Sequence, residues 1–341
     1  MTSSETVFVV VLSYNGLADT RKCLGSLYPA LRPGIVPVLV DNGSTDGTAE
    51  AVAAEFPWCG VLRVEVNRGP VGGNNAGMRA ALESGEKWIM LLNNDTTVHP
   101  YLFDRLSDAA AANPEFSVIG PVIRFMDNPD VVMTDGCLFN LPKSRGFFVR
   151  KPVPLDENQP PRVTEVDIVN GCCLMIRADM VRTIGMFDER IFMYHDEADL
   201  CLRVREAGGR LGIIDHALIW HKGSATSRAT GKKSIRYFDA RNLWYVLKKH
   251  RGAPLHGRSR WSTRLAYFRY MYYWYAAERE GDHQASAAAV VDGICDGLGG
   301  IDGPYQARPR RLAPLFRLGF NTLRWARGSS GKNAPMRADS A

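Results

Sequence analysis

At 341 residues the chain is long enough for one large or two ordinary domains with a real core. Its 45% hydrophobic and 23% charged residues are those of a soluble globular protein, and no apolar run approaches the ~18–20 residues of a membrane span. The net charge of +6 is modest but uneven, because from Arg308 onward eight Arg/Lys face a single acid, Asp339. Such a tail suits an anionic surface. Met1–Glu5 lacks the basic start of a signal peptide, and Val7–Leu12 is too short for its apolar core, so a cytoplasmic protein is expected. The seven cysteines are scattered without C-x-x-C spacing, which argues against a disulfide framework or zinc site and for reduced, packed thiols.

The first half alternates short apolar runs with helical patterns. Val7–Leu12 reads as a buried strand, Asp19–Leu27 as a helix with Leu24 and Leu27 on one face, and Val36–Val40 as a second strand. Asp46–Phe56 reads as a helix with Ala49, Val52 and Ala53 inward, Val61–Val66 as a third strand, Asn74–Ser84 as a helix and Trp88–Leu92 as a fourth strand. This alternation is the pattern of a parallel sheet covered on both faces, whose ligands bind beyond the carboxyl ends of the strands. Polar clusters follow all four strands: Ser13-Tyr14-Asn15, Asp41-Asn42-Gly43-Ser44, Asn67-Arg68-Gly69 and Asn93-Asn94-Asp95.

Asn113–Asn140 is mixed, and Lys143–Pro161 is a Pro-rich, charged excursion expected to be a mobile loop over the site. Val166–Ile176 is strand-like, Ala178–Ile184 a short helix ending at Gly185, and Asp199–Ala207 helical up to Gly208-Gly209. Arg210–Ile214 and Ala217–Trp220 are strand-like, and beyond Gly223 the chain turns helical, basic and aromatic.

The end of the fourth strand carries the most chemistry. Trp88–Leu92 stops abruptly in Asn93-Asn94-Asp95, two amides and a carboxylate. Magnesium binds through one or two protein carboxylates and takes other oxygens from substrate phosphates, so this corner suits a metal and a phosphate. Alone it also reads as an Asn/Asp turn. A second cluster, Asp196, Glu197 and Asp199, crowds three acids into four positions. Mutual repulsion there can raise one pKa toward neutrality, as a general base needs. Acids are also common at helix N-termini, and Asp199 and Arg203 are spaced for an i,i+4 ion pair.

In their joint order these pieces resemble the family 2 glycosyltransferases of the GT-A fold, close to the bacterial rhamnosyltransferase-like branch. The matching residues are Ser13–Asn15, Val40–Gly47, Asn67-x-Gly69 with Gly72–Asn75 and Gly77, Leu91–Thr96, Gly171–Met175, Phe187–Glu189, Phe192–Arg203 and His221-x-Gly223-Ser224. The resemblance implies a Rossmann-like, mainly parallel sheet with helices on both faces over residues 1–225, with a nucleotide-sugar half to about 115 and an acceptor half to 225. A helical, basic and aromatic region over 226–327 and a disordered tail over 328–341 would follow.

It implies inverting transfer of a sugar from a nucleotide-diphosphate donor to a hydroxyl of a glycan or lipid-linked glycan, in bacterial polysaccharide or cell-wall synthesis. dTDP-L-rhamnose is favoured as donor and a UDP-sugar is next. Donor contacts would come from Ser13, Asn15, Asp41, Asn42, Asn67, Gly73, Asn75, Asn93, Asn94 and Asp95. Asp41 or Asn42 would pair with the imide N–H of the base, while Ser44 and Thr45 fit a cap ahead of Thr48. The glycines between Asn67 and Gly77 would let backbone approach the ligand, with a helix starting near Asn74 presenting its N–H groups. The family's Asp-x-Asp has Asn93 at its first position here, leaving Asp95 as the sole carboxylate for Mg2+ or Mn2+, with Asn94 toward the ribose or phosphate. His221 resembles a further metal ligand of some relatives, and is equally readable as a packed histidine. The base falls to Glu197, with Asp196 second.

Beyond the resemblance, Leu243–Leu247 reads as ordinary packing in an amphipathic helix, and Tyr267–Tyr275 is crowded with aromatics. Leu312, Phe316, Phe320 and Leu323 share helical spacing beside Arg317, Arg324 and Arg327, which leans toward a helix lying peripherally on an anionic membrane. An oligomer contact fits the same pattern. A dinucleotide oxidoreductase is excluded because the first strand leads to Ser13-Tyr14-Asn15-Gly16 and not to G-x-G-x-x-G. No nucleic-acid-binding module is visible in the basic tail. The rival from another class is a non-catalytic sugar-nucleotide or glycan-binding protein, kept open by Asn93.

Overall fold

The structure, a computed structural model, describes residues 5–138, 162–223, 225–250 and 260–329. The expected loop over 143–161 and the end of the chain from 330 lie outside the described residues. One compact unit ends at Gly223 and a second begins at Ser224.

The first unit runs β1 (Val7–Ser13), α1 (Leu17–Leu27), β2 (Ile35–Asp41), α2 (Thr48–Glu55), β3 (Gly60–Arg63), α3 (Gly69–Ser84), β4 (Trp88–Asn93) and β5 (Thr96–Val98). It continues with α4 (Leu102–Ala112), β6 (Phe116–Phe125), β7 (Val132–Thr134), β8 (Val163–Glu165), β9 (Cys173–Arg177), α5 (Ala178–Ile184), α6 (Asp196–Glu206) and β10 (Arg210–His221). The sheet order is β3-β2-β1-β4-β9-β6-β10-β5, with β7 on β6 and β8 on β10. β3, β2, β1 and β4 are all parallel. β9 is antiparallel to β4 and β6, and β10 is parallel to β6 and antiparallel to β5. The half with strand–helix alternation is therefore wholly parallel, and the other half is mixed.

β1 is apolar throughout because both its faces are covered. Val7, Val9 and Val11 join Leu24 and Leu27 of α1, Val52 of α2 and Leu106 of α4 in one cluster. Val10 and Leu12 meet α3 on the opposite face. α3 begins at Gly69, not near Asn74, with Pro70 in its first turn where a missing N–H costs nothing. Gly73 and Gly77 thus lie inside the helix, where they let it approach the sheet. A Cβ on Gly77 would stand 2.3 Å from Val10 Cγ1, and one on Gly73 2.5 Å from Leu12 Cδ1.

The expected strand over 166–176 forms only from Cys173, and the two short strands over 210–220 are one strand with register shifts. β6 was not expected because Pro121 sits mid-strand; it falls opposite Ile214, where the β10 register shifts. All seven cysteines are free.

The second unit contains α7 (Ala225–Lys249), α8 (Arg260–Glu280), α9 (Gln284–Gly299) and α10 (Ala313–Ser329). Leu243, Val246 and Leu247 are buried, as packing requires. Most of the α8 aromatics also turn inward: Tyr267 donates its hydroxyl to the Ala240 carbonyl at 2.7 Å and Phe268 stacks on Phe316. A buried ion network holds the segment before α10. Arg310 donates to both oxygens of Asp296 at 2.9 and 2.7 Å, and Tyr237 Oη donates to the same carboxylate at 2.8 Å. Despite burial, the Arg310, Tyr237 and Arg308 donors hold the Asp296 carboxyl below its usual range. The single membrane face expected of α10 is split. Phe316 and Phe320 pack inward against Phe268, Tyr272 and Tyr275, while Leu312 and Leu323 stay exposed.

Gly77→Ala should lower unfolding stability by about 1–3 kcal/mol, despite alanine's better helix propensity of about 1 kcal/mol. Both Val10 methyls and its Cβ crowd the new methyl, so no rotamer of Val10 relieves it. Urea denaturation checks this, and an unchanged midpoint would contradict the packing role.

Candidate active site

The parallel register brings the strand ends into line. Ser13 pairs with Asp41 across β1 and β2, and Leu12 pairs with Asn93 across β1 and β4. At the β1 exit, Asn15 takes a left-handed φ of 48°. Its Oδ1 accepts the Thr45 N–H at 2.8 Å and its own N–H donates to Ser44 Oγ at 2.9 Å. Asp41 is buried and its Oδ1 accepts the Ser44 N–H at 3.1 Å; Oδ2 has no protein partner among the described residues. The N-cap position of α2 is Gly47, and the side chain that meets the first N–H of the helix is Asp46, whose Oδ1 accepts the Thr48 N–H at 3.1 Å, and not Ser44 or Thr45.

Four of the expected donor residues are committed to the scaffold. Asn42 is buried, gives Nδ2 to Asn67 Oδ1 at 3.1 Å and to the Gly69 carbonyl at 3.0 Å, and accepts the Arg68 N–H. Asn67 Oδ1 also accepts the Gly69 N–H at 2.8 Å, which starts α3. Asn75 is buried and exchanges two 3.0 Å hydrogen bonds with the Phe187 backbone, tying α3 to the segment ahead of α6. Gly73 meets Leu12 and Asn42. The glycines were read as making room for ligand; Gly73 and Gly77 make room for the sheet, Gly69 for the Phe192 ring and Gly72 for Arg68.

The corner after β4 reaches in three directions. The Asn93 N–H donates to the Cys172 carbonyl at 2.9 Å, ahead of β9. Asn94 Nδ2 donates to Ser13 Oγ at 3.1 Å and Thr20 Oγ1 at 2.9 Å, so it anchors the β1 exit. Asp95 Oδ1 lies 3.0 Å from His221 Nε2, and the Asp95 carbonyl accepts the Lys222 N–H at 3.0 Å. Both side chains of the Asp95–His221 pair are mostly buried. The Asn93 side chain has no protein partner among the described residues.

Asp196 and Glu197 open α6, so the helix N-terminus faces both acids. They follow Tyr194 and His195, both left-handed at φ 63° and 66°. That conformation is costly for a bulky side chain and concentrates at functional sites. Phe192 lies over Gly69, where a Cβ would come within 2.6 Å of its ring. Gly171 leaves room for Glu197, since a Cβ there would stand 3.3 Å from Glu197 Cβ. Burial, then the neighbouring Cys173, Asp95 and Glu197, push the Cys172 thiol well up. Asp199 is separate: fully buried, it accepts Arg203 Nε at 2.9 Å, and Arg203 also donates to the carbonyls of Ile184 and Met186.

Burial, then the adjacent Glu197 charge, push the Asp196 carboxyl up to about 8. An unfolded-chain aspartate ionises near pH ~4. Between these values the native chain holds the extra proton, so this contribution to stability is present at low pH and lost as pH rises toward about 8. Asp196→Asn should therefore gain stability relative to wild type on going from about pH 5 to pH 8. Denaturant titrations at both pH values check this, and a constant difference would contradict it.

Sequence reading missed Lys222, whose Nζ donates to both Asp19 oxygens at 2.9 Å while its N–H meets the Asp95 carbonyl, so it ties the corner to α1. Its position next to His221 was the available signal. The strain at Tyr194 and His195 had none, because neither residue type announces a left-handed backbone.

Among the described residues, no three His, Cys, Asp or Glu side chains gather as a metal cage. The Asp95–His221 pair nevertheless fits a divalent ion that takes its remaining ligands from phosphates and water. Two donors each about 2.1 Å from one octahedral ion, at right angles, lie about 3 Å apart. That is the separation found.

The model of glycosyl transferase family 2 matches residues 8–185, more than half of the 341 residues. The chain belongs to this family. The match takes in all four parallel strand ends and the Asn93–Asp95 corner, and stops before Asp196, Glu197 and His221. The chain is similar to the N-acetylglucosaminyl-diphospho-decaprenol L-rhamnosyltransferase of Mycobacterium tuberculosis, at 28% identity over 287 residues, 76% of this chain and 90% of the relative. It is similar to the dTDP-rhamnosyl transferase RfbF of Shigella flexneri, at 24% identity over 261 residues, 72% of this chain and 81% of the relative. Its fold matches the mannosyltransferase PcManGT of Pyrobaculum calidifontis, solved with GDP-Man and Mn2+, at TM-score 0.54 and 16% identity over 87% of this chain and 88% of that one. The fold is the GT-A fold and the protein a glycosyltransferase.

Proposed function

We propose that the chain is an inverting rhamnosyltransferase using dTDP-L-rhamnose, with a UDP-sugar as second choice, and that the acceptor is a hydroxyl of a polyprenyl-diphosphate-linked glycan. The observation that carries this reading is the Gly171-Cys172 segment, which packs Gly171 against Glu197 and bonds the Cys172 carbonyl to the Asn93 N–H, two residues before the Asp95–His221 pair. The donor and acceptor follow the names of the two rhamnosyltransferase relatives.

Asp41 Oδ2 accepts the imide N–H of the base. Asp95 and His221 would hold Mg2+ or Mn2+, which would supply positive charge to the donor diphosphate. The Asn93 amide donates to the donor. The base is assigned to Glu197, with Asp196, whose carboxyl burial pushes up, second. Glu197 removes the acceptor hydroxyl proton as that oxygen bonds to the anomeric carbon. The anomeric bond to phosphate breaks, and its electron pair leaves with the nucleoside diphosphate. A single in-line displacement inverts the centre. A non-catalytic sugar-nucleotide-binding role is favoured only by the single carboxylate at the corner, and it predicts no release of nucleoside diphosphate.

Nucleoside diphosphate release from a donor panel, with a lipid-linked N-acetylglucosamine acceptor, tests the assignment. Glu197→Gln should cut transfer about 10²–10⁴-fold with donor affinity nearly unchanged; near-normal turnover would remove Glu197 as base. Asp95→Ala should cost transfer about 10²-fold or more, and Asn93→Ala far less. Equal losses would mean that the roles of the two residues are wrongly divided.

A further inference from the structure

The second unit carries an apolar surface that its own packing leaves uncovered. α8 and α10 run side by side in the same direction, since Phe268 meets Phe316 and both Tyr272 and Tyr275 meet Phe320. Tyr275 Oη also donates to Asn321 Oδ1 at 3.0 Å. Phe268 is thus level with Phe316, so Leu265 is level with the start of α10, and Trp261 projects beyond it. Trp261, Leu265, Leu312, Leu315, Leu318 and Leu323 are 44–78% exposed. On α10 the exposed leucines 315, 318 and 323 fall within an arc of about 140°, at 3.6 residues per turn. Phe316 and Phe320 lie outside that arc and account for the inward face. Single exposed leucines are ordinary, but a contiguous group of large apolar side chains marks an interaction surface.

The charges that α8 and α10 themselves place beside the group are of one sign. Arg264 and Arg269 on α8 and Arg311 ahead of α10 are all exposed. Between Arg260 and Ala277, and between Gln306 and Arg324, the sequence contains no acid. A partner must therefore offer an apolar layer and negative charge together. A second copy of this surface would set arginines against arginines. An anionic lipid bilayer offers both layers in the right order, with tryptophan suited to the boundary between them.

We propose that the Trp261–Leu265 and Leu312–Leu323 surface docks onto an anionic membrane, with the leucines in the headgroup–acyl boundary and the arginines on lipid phosphates. This is independent of the donor assignment and would hold for any acceptor presented at a membrane.

The test is co-sedimentation of the full chain with phosphatidylcholine vesicles, with and without 30% phosphatidylglycerol, at low and high salt. Binding to the anionic vesicles should exceed binding to neutral ones by about 10-fold and weaken with salt. The double variant Leu315→Glu/Leu318→Glu should lose about 10-fold or more of that binding. Its circular dichroism and its turnover of a water-soluble acceptor should be unchanged. Arg269→Glu/Arg311→Glu should flatten the salt dependence. No binding to anionic vesicles, or binding that the leucine variant leaves intact, overturns the proposal. So does a dimer in light scattering that the leucine variant dissociates while the wild type ignores vesicles, since the occupant would then be a second copy.

Discussion

The three residues that end β4 hold the first unit's site together. The backbone of Asn93 is bonded toward β9, the side chain of Asn94 toward β1, and the side chain of Asp95 to the last residue of β10. The parallel and mixed halves of the sheet therefore meet at one corner. A buried strand must stop where its polar backbone and side chains can find partners, and here those partners come from three other elements. The corner is rigid for that reason, and Asp95 is held in place before any ligand arrives.

The second acid site depends on a different constraint. α6 begins immediately after two left-handed residues, so the chain turns sharply and delivers Asp196 and Glu197 at the helix start. The helix N-terminus stabilises negative charge there, but two adjacent carboxyls cannot both ionise cheaply when partly buried. Burial and the adjacent charge push the Asp196 carboxyl up. Asp199, one turn on, is taken out of this competition by Arg203.

Much of the fold was legible because alternation and burial dictate it. β1, β2 and β4 end within a residue of where their apolar runs stop, and α5 spans the residues expected of it. Side-chain roles were less legible. An asparagine at a strand end reads alike whether it meets a ligand or a backbone, and Asn42 and Asn75 turned out to meet backbone. Glycine spacing is equally ambiguous: Gly73 and Gly77 sit four residues apart on the face of α3 that touches β1, a helical period hidden inside what looked like a loop. β6 was masked by Pro121, and the facing of α10 by leucines and phenylalanines that share a period, of which α8 covers only Phe316 and Phe320.

A corner with one carboxylate and one imidazole should hold a metal weakly until the nucleotide diphosphate completes the coordination. Calorimetric titration of Mn2+, with and without saturating dTDP, measures that coupling directly. Mn2+ should bind about 10-fold or more tightly in the presence of dTDP, and Asp95→Ala should abolish the gain. Equal Mn2+ affinity with and without nucleotide, or coupling that survives Asp95→Ala, would contradict the assignment of this corner.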